Sequence, residues 1–311
     1  MELSLILLQQ ILVIALMILF GFAAGKTNML TLENSAVISK LVLYIISPCM
    51  LISSLQLEYS NEKALGFVLA ILAAVVYHIV MITGTRFFAP VLKINTVERA
   101  SVIYSNGGNL LIPIVGYVLG SEYVFYCCAY TIIQAILFWT HLLSMISGEK
   151  RMDLRKVILN PNILACILGL ILFFGRITLP EILSSALSRT GECIGPLSMI
   201  VIGIMIADAD LKQIFSQKSI WIVSALRLLV SPLITCVILA VLVRTVIPKS
   251  MISVLFVFFL ATAAPSASTV SQLANVEHRD EVLAGSINIM TVVLCIATMP
   301  LMTFVFQMMV H

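Results

Sequence analysis

Charge is scarce in this sequence. Lys, Arg, Asp and Glu make up 11% of its 311 residues, while 61% are hydrophobic. A soluble domain carries about a quarter charged residues, so a water-solvated globule is excluded, and so is a charge-rich disordered chain. The net charge of +3 is too small to point to nucleic acid as a partner. Metal-binding spacing is lacking as well. The seven cysteines fall mostly in apolar runs, the adjacent Cys127 and Cys128 among them, and no paired CxxC occurs. Neither a metal nor an organic cofactor is expected. There is no GxxxxGK(S/T) loop and hence no recognisable ATPase. GxSxG and HExxH are missing too, which leaves hydrolytic chemistry without a motif. The first residues lack a basic n-region, and the run Leu3–Gly25 is long enough to span a bilayer, so a retained helix is expected rather than a cleaved signal.

What is present is apolar length. The mean hydropathy is +1.12, and runs of at least about 18 apolar residues recur, as helical membrane spans require and barrel strands do not. Backbone groups in hydrocarbon must bond internally, so the expected fold is an all-α polytopic membrane protein in the lipid bilayer. Polar punctuation divides the chain into ten spans. Five are Leu3–Gly25, Ala36–Leu57, Ala64–Phe88, Val97–Leu119 and Tyr123–Ile146. Five more are Val157–Gly175, Ile194–Ala207, Ile220–Ile247, Met251–Ala274 and Val282–Val310, the seventh short enough to begin nearer Arg189. With both termini outside, twelve basic residues fall in inward loops, from Lys26 to Arg279, against Lys63, Arg176, Arg189, Arg244 and Lys249 outside. That bias agrees with the positive-inside rule. Its strongest anchor is GEKRMDLRK, Gly148 to Lys156, read as an inward linker.

The prolines suggest an internal repeat. Pro48 and Pro196, Pro90 and Pro248, and Pro113 and Pro265 pair in order at similar separations. The expected division is a first five-helix repeat over 1–147, a cytoplasmic linker over 148–156 and a second repeat over 157–311, with scaffold and transport domains drawn from both. An odd number of spans per repeat makes the second copy inverted, a recurring transporter plan.

Two matched stretches break their helices. SNGGNLLIPIVG in span four holds Asn106, Gly107, Gly108, Asn109 and Pro113; ATAAPSASTV in span nine holds Ala264, Pro265, Ser266 and Ser268. Glycine costs about 1 kcal/mol and proline about 3 kcal/mol in a helix interior. The helix of span four is expected to fail between Asn106 and Pro113, and Pro265 to free the carbonyl of Ala261. Broken halves present N-terminal ends suited to an anion and carbonyl ends suited to a cation. Arg227, inside span eight, has two readings: a cation for an anionic substrate, or a structural donor to freed carbonyls. Gln134, Gln272, Asn275 and Asn288 are polar enough to line a pathway or an ion site. His78 and His141 read as hydrogen-bonded packing residues, and Asp208 and Asp210 as the end of span seven.

Together NGGNLLIPI, AAPSAS, LRLLVSPLI and the ten spans resemble the auxin efflux carrier family, within the bile acid/sodium symporter-like superfamily. The resemblance runs over essentially the whole chain and rests on the order of short motifs. It implies two inverted repeats whose broken fourth and ninth helices cross, with Asn109, Pro113 and Pro265 at the crossing and Asn106 nearby. It also implies a secondary transporter of small organic anions, auxin-like or malonate- or malate-like, working by alternating access. The short linker points to a compact bacterial-type carrier of the inner membrane. Proton and sodium both stand as coupling ions, and the outer helices offer a face for a homodimer. An intramembrane enzyme and a channel or non-transporting sensor are the alternatives.

Overall fold

The computed structural model describes residues 2–107, 110–150, 152–245 and 247–310. It is all-helical, and its only extended pairing among the described residues is one isolated antiparallel bridge, Ser105 with Ser266. In chain order the helices are α1 (Glu2–Lys26), α2 (Leu32–Ser54), α3 (Asn61–Leu92), α4 (Thr96–Ile103), α5 (Leu111–Val118), α6 (Val124–Ser147) and α7 (Leu154–Ile158). Then come α8 (Pro161–Gly175), α9 (Glu181–Asp208), α10 (Leu211–Ser216), α11 (Lys218–Thr245), α12 (Ile252–Ala263), α13 (Ser268–Val276) and α14 (Glu281–Val310). Six of these, α2, α3, α6, α9, α11 and α14, are long and apolar enough to cross a membrane.

The long helices are inside out relative to those of a soluble protein. On α3 the residues Leu65, Val68, Leu72, Val76 and Ile79 recur at helical spacing and are exposed, while Tyr77, His78 and Thr85 are buried. On α11 the exposed stripe runs through Leu229, Leu233, Val237 and Val241, and the buried face carries Ser224, Arg227, Ser231 and Thr235. An apolar exterior around a polar interior suits lipid as solvent and would be unstable in water.

Start signals are conventional. Thr31 opens α2 and Asn95 opens α4, each through a reciprocal cap with Asn34 and Glu98 respectively. Ser60 caps α3, and Asn160 caps α8 ahead of Pro161. Asp210 accepts from the Gln213 amide at 3.1 Å and opens α10, giving one aspartate of the ADADLK stretch a local role. Three of the long helices contain a π turn: Val42–Ile46 in α2, Phe138–Leu142 in α6 and Leu226–Val230 in α11. Such turns free carbonyls and re-aim side chains.

Several boundaries differ from the sequence expectation. Helix α9 begins at Glu181, well before Ile194, because Glu181–Glu192 is amphipathic and polar enough to hide from hydropathy. Span six begins at Pro161, with Leu154–Ile158 a separate short helix capped by Asp153. Pro90 sits inside α3 without ending it, near the last turn.

Helix α1 lies along α9, and α2 packs against α8 and α9. These contacts are close. A Cβ on Gly203 would collide with the Ile18 carbonyl, and one on Gly21 with that of Ile200. The other long helices gather around α4, α5, α12 and α13.

Candidate functional site

Both interrupted spans break, and the breaks meet. Helix α4 stops at Ile103, three residues before the expected Asn106, and Tyr104 turns extended at φ −99°, ψ 129°. Helix α12 stops at Ala263, and Ala264 turns extended at φ −67°, ψ 154°. The two extended pieces pair antiparallel: the Asn106 amide donates to the Pro265 carbonyl at 2.8 Å, and the Ala267 amide to the Tyr104 carbonyl at 3.0 Å. Breaking a helix inside hydrocarbon orphans backbone groups; here each break satisfies part of the other.

Flanking helices complete the pairing with matching groups. Gln134 of α6 donates through Nε2 to the Ser105 carbonyl at 2.8 Å, and Asn288 of α14 donates through Nδ2 to the Ser266 carbonyl at 2.8 Å. The Ser266 amide donates to Thr291 Oγ1 at 3.2 Å. Ser105 Oγ shares a 2.7 Å hydrogen bond with the Tyr130 hydroxyl, whereas Ser266 Oγ is buried without a partner among the described residues. Gly107 lets Tyr130 approach, since a Cβ there would stand 2.7 Å from its ring.

Arg227 is wholly buried and spends its guanidinium on the breaks. Nε donates to the Ala264 carbonyl at 2.9 Å. Nη1 reaches the Tyr77 hydroxyl at 2.7 Å and the Val102 carbonyl at 3.1 Å. Nη2 reaches the carbonyls of Thr262 at 2.9 Å and Ala261 at 3.4 Å. All five donors of the group are thereby used. The carbonyls come from the C-terminal ends of α4 and α12, each worth about half a negative charge. The structural reading of Arg227 accounts for its geometry, and the carbonyl that Pro265 frees at Ala261 is one of its acceptors. Tyr77 in turn shares a 2.8 Å hydrogen bond with Ser231 of α11.

The N-terminal ends of α5 and α13 are left over. Neither has a side-chain cap, at Leu110 or at Ala267. Pro113 falls in the first turn of α5, where its missing amide matters least, and Ser268 opens α13. Asn106, Ala264, Pro265, Ser266 and Arg227 thus meet at one crossing, with Gln134 and Asn288 bonded to it. Gln272 and Asn275, further along α13, are exposed. Gly108 and Asn109 lie outside the described residues.

Sequence reading passed over Tyr77, Tyr104 and Tyr130 and took His78 for a packing residue; all four pack around the crossing. The available signal was the polar face of α3 opposite its apolar stripe. Two cavities open elsewhere. One of about 430 Å³ is lined by Gln56, Tyr59, Phe173 and Arg176, and one of about 210 Å³ by Glu62, Lys63, Glu122 and Tyr126. Neither reaches the crossing, where Tyr104, Ser105, Ser266 and Arg227 are at most 1% exposed. Among the described residues no three His, Cys, Asp or Glu gather as metal ligands.

Apolar helices enclosing a buried polar crossing define an integral membrane protein. The chain belongs to the membrane transport protein family, the auxin efflux carriers, whose model matches residues 6–152 and 149–303. No individual curated protein matches it.

Proposed function

We propose that the protein is a secondary active transporter of small organic anions, mono- or dicarboxylates, that works by alternating access rather than by enzymatic chemistry. One observation carries the reading. The carbonyl ends at the crossing are neutralised by Arg227, while neither Leu110 nor Ala267 gives a side-chain cap to the N-terminal ends of α5 and α13, and Ser266 Oγ has no partner among the described residues. The local field is therefore positive and rich in donors, which suits a carboxylate.

In this reading twelve of the fourteen helices make ten crossings, α4 with α5 and α12 with α13 forming the fourth and ninth, and the short α7 and α10 lie outside them. The two halves are inverted repeats, both termini lie outside, and the bilayer is a bacterial inner membrane. The like placement of Gln134 and Asn288 supports the repeat, as does the boundary between the two family matches at the linker. The glycine-locked packing of α1 and α2 on α8 and α9 is the scaffold. The helices around the crossing form the moving domain, and closing and opening around its broken helices exposes the site to either side. Asn109 and Asn106 supply polar side chains to the bound anion.

Melting of the purified protein against a panel of organic acids tests this. A saturable rise in melting temperature with at least one mono- or dicarboxylate is expected through linkage. Neither stabilisation nor saturable uptake into proteoliposomes across the panel would overturn the reading. Asn109→Ala is expected to weaken the stabilising acid's affinity more than it lowers the melting temperature of the unliganded protein.

A further inference from the structure

His78 is placed as a proton acceptor. It is buried at mid-length of α3, and its Nδ1 lies 2.7 Å from the Ala74 carbonyl. A carbonyl can only accept, so Nδ1 carries the ring hydrogen and the neutral ring keeps its lone pair on Nε2. That nitrogen is buried with no hydrogen-bond partner among the described residues. An unbonded imidazole lone pair in a sealed interior is a cost that packing alone does not explain.

The surroundings connect it in two directions. Its ring lies 5.4 Å from that of Tyr130, whose hydroxyl bonds Ser105 at the crossing. It also lies 6.1 Å from the ring of Tyr104, whose hydroxyl shares a 2.7 Å hydrogen bond with His141 Nδ1. His141 is half-buried, one turn and a half from the end of α6, in the π turn to which the linker is tied. There the Asp153 amide donates to the Trp139 carbonyl at 2.9 Å, and Lys156 stands over the Trp139 ring at 4.9 Å. The ionisable groups facing His78 are Tyr77 on its own helix, Tyr104 from the break after α4, Tyr130 and His141 from α6, and Arg227 from α11. Arg99 of α4 acts on His141.

We propose that His141, Tyr104 and His78 form a proton path from the linker side of the membrane to the crossing, and that the carrier moves a proton together with its anion. The step conserves charge and atoms. The His141 imidazolium gives its Nδ1 proton to the Tyr104 oxygen while Tyr104 passes its own hydroxyl proton to His78 Nε2, either by rotation of the two rings or through one water. Tyr104 ends as a neutral phenol and His141 as a neutral imidazole. A proton on His78 places a second positive charge near Arg227, among groups that are otherwise neutral or cationic. A carboxylate at the crossing supplies the missing negative charge, so anion and proton each favour the other's binding, and this reciprocity is required by linkage.

The inference rests on the anion-carrier reading, and the test separates the two. Wild-type protein is reconstituted into potassium-clamped vesicles containing a pH dye, and radiolabelled malonate is the probe. The expected result is malonate uptake that acidifies the lumen and is driven by an imposed inward proton gradient. In His78→Gln, gradient-driven accumulation is expected to fall about ten-fold more than malonate exchange at equal pH on both sides, an ordinary size for coupling between sites. Tyr104→Phe keeps the ring against His78 and removes only the hydroxyl, so it serves if the His78 variant does not fold; it should slow lumen acidification more than it slows exchange. Saturable uptake that moves no protons, or gradient-driven accumulation undiminished in both variants, overturns the proton path and leaves the carrier reading standing. Absence of uptake and exchange for malonate and for every acid of the panel overturns both.

Discussion

A wholly buried arginine without a carboxylate should be costly, because an isolated charge in a low-dielectric interior loses several kcal/mol of hydration. Arg227 survives there because two helix C-termini converge on it. Their partial charges together approach one negative charge, and four backbone carbonyls and one hydroxyl accept its five hydrogens. The residue therefore behaves as an internal counter-ion for the broken backbone. Removing it leaves four carbonyls in a dry site, so Arg227→Gln should destabilise the fold by about 3–5 kcal/mol. Arg227→Lys should recover only part of this, since an ammonium has three donors and no planar fork. Melting of detergent-purified variants checks the order wild type, then Lys, then Gln. A Gln variant that melts normally and has merely lost affinity for the anion would return Arg227 to a substrate-facing role. By the same reasoning Gln134→Leu and Asn288→Leu should each cost about 1–3 kcal/mol, the desolvation of one unpaired carbonyl. Their melting temperatures should fall by similar amounts, because the two amides hold equivalent points of the crossing.

At the scale of helices, the breaks were legible from composition: glycines with Pro113, and Ala264 with Pro265, leave few other outcomes in an apolar run. Where each helix actually stops was not. Tyr104 and Ser105 carry no helix-breaking chemistry of their own, and α4 ends at Ile103 because Tyr104 and Ser105 pair with Ser266 and Ala267 from a distant segment. The start of α9 was hidden for the opposite reason, since Glu181–Glu192 is helical but half polar. Nor does any pattern in the sequence reveal that Gln134 and Asn288 meet carbonyls while Gln272 and Asn275 face outward. Gly107 and Gly203 illustrate two uses of glycine as contact. Gly107→Ala would push a Cβ to 2.7 Å from the Tyr130 ring and displace the hydroxyl that holds Ser105. Overpacking of this kind costs about 1–3 kcal/mol, and because the strain falls on the crossing, anion uptake should drop further than the melting temperature. Gly203→Ala instead meets backbone, the Ile18 carbonyl, and forces α1 away from α9. Its melting temperature should fall, and a melting curve equal to wild type would mean that those helices are not locked at this point.

For the whole molecule, the arrangement of the site depends on how many times the chain crosses. Two breaks can face each other from opposite senses only if an odd number of spans separates equivalent points. Six helices are long and apolar enough to be counted on hydropathy alone; the four further crossings proposed are α1, α8 and the two spans divided at the breaks, α4–α5 and α12–α13. Short and divided spans are tolerated where protein rather than lipid surrounds them, and the buried faces of α4 and α12 meet that condition. Ten crossings predict that the basic linker from Gly148 to Lys156 lies on the cytoplasmic side and both ends of the chain outside. Reporter fusions decide this directly. Alkaline phosphatase joined after Val310 should be active and a fluorescent protein joined there dark, whereas a fluorescent protein inserted after Gly148 should be bright. If the linker and the C-terminus report the same side, the second half contains an even number of crossings. The halves could not then be inverted copies, and the antiparallel meeting of Ser105 with Ser266 would need a different topological origin.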